Sequence, residues 1–141
     1  MAKPGTTLIK AILPLPLYWK GRGDKKRQLL LSTNTWLPMH YTQRNNIKQN
    51  YHEIVREWCE QLPKFKTLRP HYTLHFNNKR KKDVDNYTAP LHKFLMDAMV
   101  EHGVIKDDNY EYVTGFCADF GGIEDENYAI VELHGEYEDR D

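Results

Sequence analysis

With 141 residues, 40% of them hydrophobic and 28% charged, the chain has the length and make-up of one compact domain, and these values exclude a disordered or membrane-embedded protein. Its longest apolar runs fall far short of a bilayer, and its two cysteines, Cys59 and Cys117, form neither a disulfide framework nor a zinc motif; a cytoplasmic protein with two reduced core thiols and no membrane partner is expected. The formal net charge of zero hides a split: residues 1–82 hold 17 Lys and Arg against 4 Asp and Glu, a balance of +13, while residues 83–141 hold 3 against 16, a balance of −13.

The opening segment, MAKPGTTLIKAILPLPLYWKGRG, lacks the continuous apolar stretch and small-residue cleavage site of a secretory signal. A strand is expected over 8–13 and another over 28–33. Over 44–62, Ile47, Tyr51, Ile54, Val55, Trp58, Cys59 and Leu62 recur with the 3.6-residue period of a helix that has one buried stripe, and Pro63 ends it. In HYTLHFNNKR, Tyr72, Leu74 and Phe76 alternate with polar residues, which predicts a half-buried strand that delivers the basic run Lys79, Arg80, Lys81 and Lys82 and then Asp83. A second helix is expected over 90–102. Pro90 would take its first position, Leu91, Phe94, Leu95, Ala98 and Met99 form its stripe, and Gly103 stops it. Lys93 and Asp97 fall on its polar face, four residues apart, as in an ordinary helix-surface ion pair. Strands over 110–119 and 127–133, separated by the turn-rich GGIEDE, complete a mixed sheet. The order of elements predicts a single α+β domain with two main helices.

The change of sign at Lys82-Asp83 poses a chemical question. A basic surface beside an acidic one either neutralises itself through salt bridges or serves a polyanion, which basic surfaces attract by counterion release. If the chain stays extended past the strand, Asp83 and Asp85 project from one face, one pleat apart. Two such carboxylates repel unless a cation lies between them, and Mg²⁺ is a hard ion that takes one or two carboxylates together with substrate phosphate. Asp107 and Asp108 follow a short loop after the second helix, and a strand-helix-loop connection returns them beside the first pair. Such a site polarises a phosphodiester and generates hydroxide from bound water, while the basic run and Lys93 hold phosphates or balance charge in the transition state. Against this stands the bland reading, since D-x-D and D-D-N are common turn and loop sequences.

Other candidates are weaker. His71 and His75 lie four apart on a predicted strand, where that spacing does not give adjacent zinc ligands. Trp19, Trp36 and Trp58 are possible stacking groups for bases, although Trp58 belongs to the first helix's apolar stripe. His40 reads either as a phosphate contact or as a half-buried structural histidine.

The series formed by the basic run, D-V-D-N (83–86), K-F-L-M-D-A-M (93–99) and G-V-I-K-D-D (103–108) resembles the RusA family of Holliday-junction resolvases, small Mg²⁺-dependent endonucleases of phages and prophages. The resemblance covers about 30 residues strongly. It extends weakly back to LLLSTNTWLPMHYTQRNNIKQNY, where Asn34, His40, Tyr41 and Lys48 resemble the family's approach to its first long helix. It implies a RusA-like fold in which Asp83, Asp85 and Asp108 are the metal-binding catalytic carboxylates, Asp107 is a nearby acid and Lys93 the catalytic-site lysine. DNA contacts would come from Lys79, Arg80, Lys81, Lys82, Asn34, His40 and Lys48. In the family's short motif the lysine stands three residues after the asparagine; here Lys93 stands seven after Asn86. Residues 1–27 have no clear counterpart and form a candidate N-terminal extension. The resemblance further implies a homodimer that cuts four-way DNA junctions symmetrically with Mg²⁺, for which Mn²⁺ can substitute. Two rivals are a metal nuclease acting on flaps or replication forks and a non-catalytic branched-DNA-binding accessory protein.

Overall fold

The strand predicted around Tyr72 is the longest strand among the described residues. In the computed structural model, which describes residues 5–138, β4 (Lys64–Phe76) runs through the middle of a four-stranded sheet, and Leu68, Tyr72 and Leu74 are wholly buried on its inner face. The sheet order is β1-β6-β4-β5. β1 (Gly5–Pro14) pairs antiparallel with β6 (Tyr128–Glu138), β6 antiparallel with β4, and β5 (Cys117–Ile123) parallel with β4. Residues 28–33 do not join this sheet. Instead β3 (Arg27–Leu30) pairs with β2 (Leu17–Lys20) in a separate two-stranded hairpin. β1, by contrast, is part of the central framework, so the described residues ahead of the hairpin are not an appendage.

Two departures from the expected strands have local causes. The strand predicted over 110–119 begins only at Cys117; before it, the chain touches β4 through an isolated bridge between Val113 and Leu68. Leu68 turns its amide and carbonyl toward this segment, and Pro70, two residues on, offers no N–H on that side, so the ladder cannot continue until His71 meets Cys117. Gly121 and Gly122, predicted as a turn, lie within β5. A Cβ at Gly121 would sit 2.5 Å from His75 Nε2, so only glycine lets the strand pass beneath that ring. Cys59 is buried, whereas Cys117, expected in the core, is exposed on this edge strand.

Three helices complete the α+β domain. α1 (Thr33–Trp36) is capped by the Ser32 hydroxyl, which accepts from the Thr35 amide at 3.2 Å. α2 (Tyr41–Gln61) starts earlier than its apolar period suggests because His40 Nδ1 accepts the Thr42 N–H at 3.2 Å. Its buried stripe is Tyr51, His52, Val55 and Cys59; Ile54 is 53% exposed. α3 (Val84–Glu101) buries the predicted stripe of Leu91, Phe94, Leu95, Ala98 and Met99 completely. It packs on β4 and β5, and α1 and α2 pack on it. Trp36 meets Phe94 edge-on at 5.7 Å, which buries Trp36, whereas Trp19 remains exposed on the hairpin beneath the Lys26 ammonium. Among the described residues no helix is long and apolar enough to cross a membrane.

The main correction concerns Pro90, which lies inside α3 rather than at its start. A proline here leaves the carbonyl four residues earlier, on Asn86, without its helical donor. The Thr33 hydroxyl supplies the missing hydrogen bond, donating to that carbonyl at 3.2 Å. The Asn34 amide also donates to the Asn86 side-chain oxygen at 3.3 Å. α1 therefore docks where the proline opens α3, and the helix continues back to Val84.

Candidate functional site

The early start of α3 changes the setting of Asp83 and Asp85. Asp83 is the N-cap residue, extended at φ −85° and ψ 119°, while Asp85 is helical in the first turn, so the two do not lie on one pleated face. Aspartate at an N-cap ordinarily accepts a hydrogen bond from the first-turn amides, yet the Asp83 side chain makes no cap bond. Among the described residues Asp85 accepts only from the neighbouring Asn86 amide, at 3.0 Å. Both carboxylates are exposed and border a cavity of about 840 Å³ together with Asn34, Asn86, Lys82 and Phe116.

The basic run occupies the loop between β4 and α3. Lys82 Nζ donates to Asn78 Oδ1 at 2.7 Å and to the Arg80 carbonyl at 2.9 Å, and it stands 4.9 Å from the centre of the Phe76 ring. Burial, and then the Arg80 charge, hold this ammonium below the usual lysine range. Among the described residues no ion pair joins Lys79, Arg80, Lys81 or Lys82 to Asp83, Asp85, Asp107 or Asp108; the ion pairs present involve Arg56 with Glu53 and Glu60, and histidines with acids elsewhere. The charges that meet at Lys82-Asp83 are thus not spent on each other.

Asp107 and Asp108 do not come back beside this pair. The Asp108 amide donates to Asp107 Oδ1 at 2.7 Å, and the Asp97 side chain lies within hydrogen-bonding reach of Asp108. Burial pushes the Asp108 carboxyl above the usual carboxylate range. The Asp97 charge, hydrogen bonds with the Asp107 and Asp97 carboxyls, and the Asp107 charge push it the same way. Asp97 therefore faces Asp108, and among the described residues no ion pair joins it to Lys93. Asp97 follows Asp85 by twelve residues along α3, a rise of roughly 18 Å. The helix begins six residues earlier than expected, and the added length separates the two acidic clusters. Among the described residues no three of His, Cys, Asp and Glu are arranged to hold a metal ion.

His92, which sequence reasoning passed over, belongs to the second cluster. Burial pushes it down to about 4, against the opposing pull of the Asp108 carboxylate. Its Nδ1 lies 2.7 Å from the Tyr72 hydroxyl and its ring stacks on Phe116 at 4.1 Å. Burial raises the Tyr72 phenol well above its ordinary range, so Tyr72 keeps its proton and donates it, which leaves the neutral imidazole's own hydrogen on Nε2. The only signal in the sequence was its place on α3, one turn before Met96.

Lys93 opens onto a different cavity, of about 530 Å³, shared with Asp97, Arg44, Lys48, Trp36 and Tyr41. The Arg44 guanidinium lies 4.2 Å from the Trp36 ring centre and Lys93 Nζ 5.9 Å from it. Of the other predicted DNA contacts, Asn34 adjoins Asp85, Lys48 joins Lys93, and His40 serves as the cap of α2. His71 pairs with Asp119 at 2.7 Å across the β4–β5 edge. No family model matches the chain, and no curated protein matches it.

Proposed function

We propose that the protein is a Mg²⁺-dependent endonuclease of the RusA type that resolves four-way DNA junctions by paired phosphodiester cuts. The observation that supports this most is the unpaired juxtaposition at the start of α3: Asp83 and Asp85 border one cleft, the four cations of 79–82 border the cleft on the other side of Asp83, and among the described residues no ion pair joins the two sets. A phosphodiester backbone needs the cations, and a hard divalent ion needs the carboxylates. In this reading Asp83 and Asp85 are the metal-binding carboxylates at the start of α3, Asp108 with Asp107 beside it joins them as the resemblance alone implies, and Mn²⁺ can replace Mg²⁺. The ion would activate water and offset charge on the leaving oxygen. The chain's own part is positional: Lys79, Arg80, Lys81 and Lys82 seat one stretch of backbone, and Lys93 with Arg44 and Lys48 offers a second cationic surface. A two-fold homodimer in the cytoplasm would present two sites to a two-fold junction.

The separation of Asp108 from Asp83 and Asp85 favours a second reading, in which the protein binds branched DNA without cutting it. Asp85→Asn decides between them. Asparagine keeps the shape and loses the charge that a hard cation requires, so cleavage of a mobile junction should drop about a hundredfold or more, with affinity level or higher in chelator. Asp83→Asn and Asp108→Asn should match it, and pairs of these changes should be little worse than one. No Mg²⁺-dependent cleavage of any branched DNA by the wild type would establish the binding protein. Preferred cutting of flaps or forks in mapped products would replace the junction as substrate.

A further inference from the structure

A second cleft opens on the other side of Asp83, between the basic run and β5, and its cavity of about 630 Å³ falls within the range of small-ligand sites. Its floor is apolar. Phe76 is 2% exposed, but Phe120 and Ile123 expose 56% and 43% of their surface. The Phe76 and Phe120 rings lie nearly parallel, 16° apart in plane and 6.3 Å between centres, and Lys82 Nζ stands over Phe76. The rim carries Lys79, Arg80, Lys81 and Lys82, with Asp83 at one end.

Large apolar side chains on an exposed edge strand invite unwanted pairing, and proteins normally blunt such edges with charge or short strands. In a chain of mean hydropathy −0.77, the patch has no evident role in folding. We propose that this cleft is a stacking site for an unpaired nucleotide, with the base on Phe120 and the flanking phosphates on the basic run. Aromatic faces ringed by cations take single-stranded nucleic acid in this way, because every base has a π-face and every linkage a negative charge. Charge complementarity selects this occupant over a neutral apolar peptide or a second copy of the same surface, since two copies would bring eight like charges of the run together. The proposal rests on the nuclease reading in one respect: bases left unpaired at a branch point would be held here, next to Asp83. The site would therefore confer preference for branched over continuous duplex DNA.

The test uses the full chain in chelator and DNA carrying 2-aminopurine at an unpaired position. Stacking should quench its fluorescence on binding. Phe120→Ala should abolish the quenching and weaken binding to single-stranded and branched DNA about tenfold, while leaving duplex affinity and the salt slope unchanged. Phe120→Tyr should retain both signals, and unchanged circular dichroism of the variants would show that the fold is intact. Quenching that survives Phe120→Ala, or an equal loss of duplex binding, overturns the proposal. So does a concentration-dependent dimer that Phe120→Ala dissociates in step with the lost binding, because the patch would then be a contact between copies. Quenching that persists in a wild-type protein unable to cut any branched DNA with Mg²⁺ would sink the nuclease reading and leave the stacking site standing.

Discussion

Thr33→Val should destabilise the protein only because Pro90 is where it is. The Thr33 hydroxyl donates to the Asn86 carbonyl, which Pro90 has deprived of its helical partner. Valine has nearly the shape of threonine and no donor, so the half-buried carbonyl loses a hydrogen bond worth about 1 kcal/mol net. That is roughly a 3 °C fall in Tm for a domain of this size. Pro90→Ala restores an N–H at position 90 that can take the same carbonyl within α3, so Thr33→Val in that background should cost no more than a few tenths of a kcal/mol. Urea denaturation of the four proteins gives the coupling energy, about 1 kcal/mol, and cancels whatever Pro90→Ala does through lost packing. The coupling also bears on the site, since α1 carries Asn34 to Asn86 beside Asp85. If Thr33→Val costs the same in both backgrounds, the carbonyl is not what holds α1 to α3, and the account of the long helix fails.

Replacing Lys79, Arg80, Lys81 and Lys82 with alanine should flatten the dependence of junction affinity on salt by up to about one unit per lost phosphate contact, and an unchanged slope would return the run to a solvated loop. His92 makes stability depend on pH: its ordinary value of 6.5 applies unfolded and about 4 applies folded, so the unfolded chain binds the proton first as pH falls. Stability present at neutral pH should decline between about 6.5 and 4, by roughly 3 kcal/mol in all, and His92→Gln should remove that decline in urea titrations at successive pH values. Asp97→Asn removes a charge that raises Asp108, so the Asp108 carboxyl should titrate closer to its ordinary range while burial keeps it above; carboxyl NMR shifts across pH would read this, and no movement would separate the two groups.

Local pattern carried much of the fold. The stripe Leu91, Phe94, Leu95, Ala98 and Met99 and the alternation Tyr72, Leu74, Phe76 are set by periods of 3.6 and 2 that any stretch displays by itself, and all eight side chains are buried. The adjacency of Lys82 and Asp83 is likewise covalent. What the tertiary structure alone decided is whatever needed a partner distant in the chain. Pro90 stays within α3 because Thr33, 53 residues before Asn86, satisfies the Asn86 carbonyl that the proline frees. Gly121 is strand rather than turn because β5 pairs with β4 on both sides of it, with Gly121 at the register shift where the His75 ring leaves no room for a Cβ. Asp97 borders the same cavity as Lys93 yet is set against Asp108, with no ion pair to Lys93 among the described residues, because the loop after α3 brings the second acid there. That the cations of 79–82 and the carboxylates of 83 and 85 leave each other unpaired is a matter of side-chain direction, fixed by Asn78 and the Arg80 carbonyl holding Lys82 and by the turn of α3 carrying Asp85, and charge order along the chain does not encode it.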